Sequence, residues 1–215
     1  MVVIGGFSMN FADLYRASNA LTTPNTSLKA LIQVVKERHP RVGDVELWEC
    51  DLDEGISLAH MTYEEDRTSP YGDPYDVAVI RFAKTLNRCW RRAACCKELM
   101  HVFDDSAAQT SDRGKFLKLM KELETKNILP GDASAMLLSE RWAEWMALLA
   151  LCPQRLRSIF EESYNKKNID DEYVAQKLKI PKIWIPSLMS DYYWRALERL
   201  TGEGPPPTIR KGHPA

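Results

Sequence analysis

The sequence predicts an α+β fold: a small three-stranded sheet packed on one central helix, with further helices around it. Two observations carry this expectation. Three short stretches of strand character lie close together between residues 45 and 82, and most of the chain on either side shows helical spacing of its apolar side chains. At 215 residues the chain is long enough to bury one substantial core.

Taken in order, residues 10–20 suit a short helix, and residues 28–38 suit a clearer one. In the second, Leu28, Leu31, Ile32 and Val35 share a face, Ser27 stands at the N-cap position, and His39-Pro40 stops it. Residues 45–51 (VELWECD) alternate apolar and polar side chains, residues 57–63 do so more loosely, and Asp53-Glu54-Gly55 between them has turn chemistry. That pattern predicts a hairpin. A polar loop with Pro70, Gly72 and Pro74 follows, and then residues 77–82 (VAVIRF) give a third strand leading into a helix over 88–105.

Beyond a loop, SAAQTSDRG, residues 115–126 form an amphipathic pattern through Phe116, Leu119, Met120 and Leu123. Asp132 is placed to cap a long helix reaching 151, and Pro153 ends it or opens another running to about 160. Residues 170–178 are a further amphipathic unit, Pro181 and Pro186 punctuate the chain, and 185–200 make the last helix. The organisation expected is an N-terminal helical segment (1–44), a main domain (45–160), a helical unit packed on it (161–200) and a tail (201–215). The tail holds four of the twelve prolines and is expected to be disordered.

Charged residues make up 27% of the chain and the net charge is −1, so bulk charge supplies no general attraction for phosphate backbones. The five cysteines are odd in number and show no C-x-x-C spacing, which fits a reducing compartment. The apolar opening MVVIGGFSMNF lacks a basic leader, and no later run has the length of a membrane span. A cytoplasmic protein without membrane attachment is expected.

The chemistry concentrates in residues 88–105 (RCWRRAACCKELMHVFDD). On a helix, Glu98, His101 and Asp105 stand at i, i+3 and i+7 and share one face. Zinc hydrolases use H-E-x-x-H, in which two imidazoles one turn apart reach one metal and the glutamate takes a proton from the bound water. The matching residues here are Lys97, Glu98, Leu99, Met100 and His101. Lysine replaces the first ligand. On its own, E-x-x-H arises by chance in any charged helix.

A second stretch gives that motif weight. Residues 140–153 (ERWAEWMALLALCP) resemble the segment that follows the H-E-x-x-H helix in the ImmA/IrrE-type metallopeptidase family. Glu140 stands where that family has its third metal ligand, Ala143 matches the alanine three residues on, Met146-Ala147 match the apolar-Ala pair, and Ala150 to Pro153 match the close. The order of elements is also similar, and the resemblance covers roughly 45–189. It implies a zincin-like fold and a cytosolic regulatory protein of bacterial or phage type that cleaves or binds a repressor-like partner.

If the site were active, the resemblance implies Glu98 as general base and zinc held by His101 and Glu140, with Asp105 or Asp104 as a further oxygen ligand. A protonated lysine has no lone pair for a metal. The expectation is therefore that the Lys97 ammonium stands in for the ion and neutralises Glu140, Glu98 or both. That reading gives a pseudo-peptidase without cofactor, whose cleft holds a peptide segment of a protein partner.

Other features are weighed against plainer readings. His39 beside a proline reads as a helix-end residue, His60 lies on a strand that could face the site, and His213 is remote. Arg88, Arg91 and Arg92 form a basic cluster that would suit an acidic partner or simply solvent. Trp142, Trp145, Trp184 and Trp194 read as core. Residues 171–189 have a helix, turn, helix rhythm, but two prolines and few basic residues argue against nucleic acid as the partner.

Overall fold

The β-branched, apolar stretch YDVAVIRFA needs neighbours on both edges, and it becomes the middle strand. The structure, a computed structural model, describes residues 9–66, 75–104 and 134–205. Its sheet has the order β1 (Val42–Cys50), β3 (Tyr75–Ala83), β2 (Ala59–Asp66). β3 pairs in parallel with β1 and antiparallel with β2. The expected hairpin between the first two strands is not formed. The turn exists, with Asp53 accepting from the backbone N–H of Gly55 at 2.9 Å and its carbonyl accepting from Ile56 and Ser57. It reverses the chain across the width of one strand, and the more apolar β3 fills the gap.

Register assigns the faces. Ala78, Ile80 and Phe82 of β3 are buried beside Val45 of β1 and Ala59 of β2, with Met61 and Tyr63 packed against the same core. The helix α3 (Arg88–Met100) lies against β2 and β3 on one side and α4 (Ala135–Leu151) on the other. Asn87 starts α3 by accepting from the N–H groups of Cys89 and Trp90. Ala93, Cys95, Cys96, Leu99 and Met100 bury its apolar stripe.

The helix expected to continue to 105 stops at Met100, and His101–Phe103 form a 3-10 turn. Local side-chain bonding competes with the helix there, because Asp104 folds back to bond the His101 ring. Asp105, the polar loop at Pro70, Gly72 and Pro74, the helix over 115–126, Asp132 and His213 lie outside the described residues.

Around this centre, α1 (Phe11–Ala20) opens on a reciprocal capping box between Asn10 and Asp13. In α2 (Leu28–Arg38), Ser27 occupies the N-cap but makes no side-chain capping bond. Ser134 caps α4 by accepting from Leu137, in the role expected of Asp132. Pro153 separates α4 from α5 (Gln154–Asn165), which runs past 160. Asp170 caps α6 (Asp171–Leu178), accepting from Tyr173 at 2.8 Å.

The single last helix expected over 185–200 is two, α7 (Ile185–Met189) and α8 (Tyr192–Thr201). Arg157, only 2% exposed, draws the carbonyls of Leu188, Met189 and Ser190 out of helical pairing, and its guanidinium sits over the rings of Tyr193 and Trp194. The core runs from Met9 to Leu197, and a buried chain of bonds, Gln154 N–H to Tyr15, Tyr15 to Tyr193 and Tyr193 to the Cys152 carbonyl, ties α1 and α8 to the α4–α5 corner. Among the described residues no helix is long and apolar enough to cross a membrane.

Candidate functional site

The C-terminal end of α3 and the first half of α4 face each other below the edge strand β2, and the charged side chains of the two helices meet there. Lys97 donates to Glu98 Oε1 at 3.0 Å and also to Glu140 Oε2, so one ammonium bridges two carboxylates from different helices. The side chains are mostly buried, 22% exposed for Lys97, 8% for Glu98 and 24% for Glu140. Burial pushes the Lys97 pKa down, but the charges of Glu98 and Glu140 and the hydrogen bonds to both outweigh it, and the net shift is upward. The surroundings of Lys97 favour the charged ammonium.

His101 is held from both ends. Its Nδ1 lies 2.7 Å from Asp104 Oδ2 and 3.2 Å from Ser139 Oγ, while Ser139 donates to Asp104 Oδ2 at 2.6 Å. With two oxygens around it, Nδ1 carries a proton and donates. Nε2 faces Glu140 Oε1 at 3.4 Å. Burial lowers the His101 pKa and Lys97 opposes its charge, yet the bond to Asp104, together with Glu98 and Glu140, brings the net shift upward. The Tyr63 hydroxyl of β2 reaches the His101 carbonyl at 3.5 Å.

The structure thus brings Lys97, Glu98, His101 and Glu140 into one cluster. Asp104 sits on the Nδ1 side of His101, away from the bridge, and orients the ring. Ser139 was not legible as a member: one residue before Glu140, it points about 100° around the helix and so meets the opposite edge of the same imidazole. No sequence signal distinguishes it from an ordinary helical serine.

These residues do not fit a zinc ion. Catalytic zinc takes three protein ligands and an open position. Among the described residues His101 and Glu140 are the two placed for it. The Nε2 that would bind the metal faces Glu140 Oε1 at 3.4 Å, and the Lys97 ammonium already lies between the carboxylates. Among the described residues no group of three or more His, Cys, Asp or Glu side chains is arranged to hold a metal ion.

The remaining histidines are placed as follows. His39 spends both ring nitrogens on the backbone: Nδ1 accepts from Arg41 and Val42, and Nε2 donates to the Val102 carbonyl at 3.1 Å. Burial lowers its pKa, which agrees with a neutral ring. His60 pairs in register with Arg81 on the sheet face opposite Ala59 and Met61. It is half-buried, and its pKa is lowered by burial with a smaller upward pull from Glu98.

The basic cluster is divided, with Arg88 exposed, Arg91 in a surface ion pair and Arg92 turned inward. Arg91 pairs with Glu49 at 2.8 Å over the Phe82 ring, and Arg92 donates to the carbonyls of Leu178, Lys179 and Thr26. Trp142, Trp145, Trp184 and Trp194 pack against the core, whereas Trp48, which carried no expectation, is 55% exposed on β1. The helix after the turn at Lys182–Trp184 has only five residues, too short to lie along a groove as a recognition helix. No family model, no curated protein and no solved structure matches the chain.

Proposed function

We propose that this chain is an ImmA/IrrE-like, zincin-type scaffold in which the Lys97 ammonium replaces the catalytic ion, and that it works as a non-catalytic cytoplasmic regulator holding a segment of a protein partner. One observation carries the reading: Lys97 bridges Glu98 and Glu140, the two carboxylates to which the family resemblance would give the general base and a metal ligand. A cation in that place neutralises the cluster without offering a Lewis acid or an ionisable water. On this reading the scaffold is kept and the hydrolytic chemistry is lost.

The edge strand β2 supports the binding half of the proposal. Among the described residues it pairs on one side only, with β3, and Tyr63 ties it to the His101 backbone directly above the cluster. An extended segment adding to such an edge gains main-chain hydrogen bonds, with alternate side chains pointing into the cleft. The test is a peptidase assay on unfolded casein with zinc supplied in excess. No cleavage is expected from the native chain, and zinc-dependent cleavage abolished by Glu98→Gln would overturn the proposal.

A further inference from the structure

Among the described residues the sheet has an edge strand on each side, β1 and β2. On β1, Glu46, Leu47, Trp48 and Glu49 are exposed in succession, so both faces of the strand meet solvent there. Two of these are large apolar side chains on opposite faces, Leu47 at 42% exposure and Trp48 at 55%. α2 packs against β1, and its Lys36 pairs with Asp44 at 2.8 Å, ahead of the exposed stretch.

The parallel ladder engages every second residue of this strand. The Cys50 carbonyl accepts from the Lys84 N–H at 3.0 Å, so in the register with β3 it is Glu46, Trp48 and Cys50 that turn their N–H and C=O groups to β3. Leu47 and Glu49 turn theirs to the open edge. So does Val45, but its N–H donates to the Asp44 carboxylate at 2.6 Å, which closes the edge at that point. The backbone left to pair is that of Leu47 and Glu49, on either side of Trp48.

We propose that a second copy of this chain docks here, β1 against β1 and antiparallel, about a two-fold axis through Trp48 that joins the two sheets into one. Leu47 then exchanges both backbone bonds with Glu49 of the second copy. Trp48 meets its counterpart at a non-hydrogen-bonded position, where Cα atoms approach to about 4.5 Å and aromatic pairs stabilise a sheet. Charge selects this register. Centring on Glu46 or on Glu49 sets identical carboxylates opposite each other, and centring on Leu47 opposes Glu49 to Val45, whose N–H is already used. Centring on Trp48 opposes Glu46 to Cys50 and Glu49 to Leu47, with Glu49 neutralised by Arg91 at 2.8 Å. β2 is the other edge of the sheet, so this dimer is independent of the pseudo-peptidase reading and leaves β2 open.

Sedimentation velocity of the full chain between about 2 and about 200 μM should show monomer passing to dimer as concentration rises. Trp48→Lys, at an exposed position, sets two ammonium groups opposite each other on the axis, and Leu47→Pro removes an edge N–H that no bond to β3 uses. Each should weaken the dimer at least about tenfold while keeping the far-UV circular dichroism of the native chain. Glu46→Cys in a Cys89→Ser background tests the register. Position 46 faces the native Cys50 of the second copy, and air oxidation should give a disulfide-linked dimer that Cys50→Ser abolishes. A native chain that stays monomeric over the whole range, undiminished association in the folded edge variants, or a covalent dimer that survives Cys50→Ser would each overturn the proposal.

Discussion

Lys97 carries three N–H donors and no acceptor, and Glu98 and Glu140 use two of the three. Its neutral counterpart would leave two mostly buried carboxylates facing each other without a cation. Lys97→Met is therefore expected to lower the unfolding free energy by about 3 kcal/mol, the cost of removing one partner from a buried ion pair. Adding Glu140→Met should recover part of that loss in the same denaturant titration, and equal stability of the native chain and Lys97→Met would contradict the bridge. His101 gives a pH signature. Its folded pKa is raised above the ordinary 6.5, so its contribution to stability is present in full below about pH 6.5 and is lost as pH rises through the folded value. The ring resonances of His101 should titrate with a midpoint above 6.5, and the stability difference between the native chain and His101→Gln should shrink from pH 6 to pH 9. The E-x-x-H pair could be read from its spacing, whereas Glu140 is singled out by the family resemblance of residues 140–153. Asp104 and Ser139 could not be assigned their role, because it depends on how α4 lies against the end of α3, and no spacing within either helix encodes that.

At the level of elements, helix starts are set by neighbouring residues and some helix ends by distant ones, although of the caps the sequence suggested Ser27 makes no side-chain capping bond and Ser134 takes the role given to Asp132. Asn10, Asn87 and Asp170 are local caps that bond within three residues, and a local rule finds them. One end is local, since α3 stops where Asp104 bonds back to the His101 ring, but α7 stops where Arg157, far away in sequence, takes its carbonyls. The same holds for α6, whose final carbonyls at Leu178 and Lys179 accept from Arg92 of α3. Lys179 itself closes that helix in the left-handed region, φ 56° and ψ 48°, where a Cβ is unfavourable. Lys179→Gly keeps the carbonyl that Arg92 needs and relieves the backbone, so it should raise stability by about 1 kcal/mol in denaturant titration. A loss of stability would show that the lysine side chain contributes more than its backbone costs.

At the scale of the molecule, the α+β class followed from composition and periodicity, but strand order did not. VELWECD and VAVIRF both read as strands, yet only the second is apolar enough on both faces to occupy the centre: Val77 and Val79 on one face are buried along with Ala78, Ile80 and Phe82 on the other. Taken that way, the contrast between Trp48, exposed on β1, and Val79, buried on β3, contains the sheet order that a short turn at Asp53 concealed. The arrangement sets α3 under β2 and brings Glu140 from α4 to Lys97, which is how two weak motifs far apart in sequence become one cluster. Lys97 closes this cluster with a cation of the chain's own. The most direct measurement of this is the zinc content, by mass spectrometry, of the chain purified without chelator or metal-affinity tag, beside Glu140→Ala treated alike. Far less than one zinc per chain is expected in both proteins; about one zinc per native chain, lost in Glu140→Ala, would show that the site takes a metal instead.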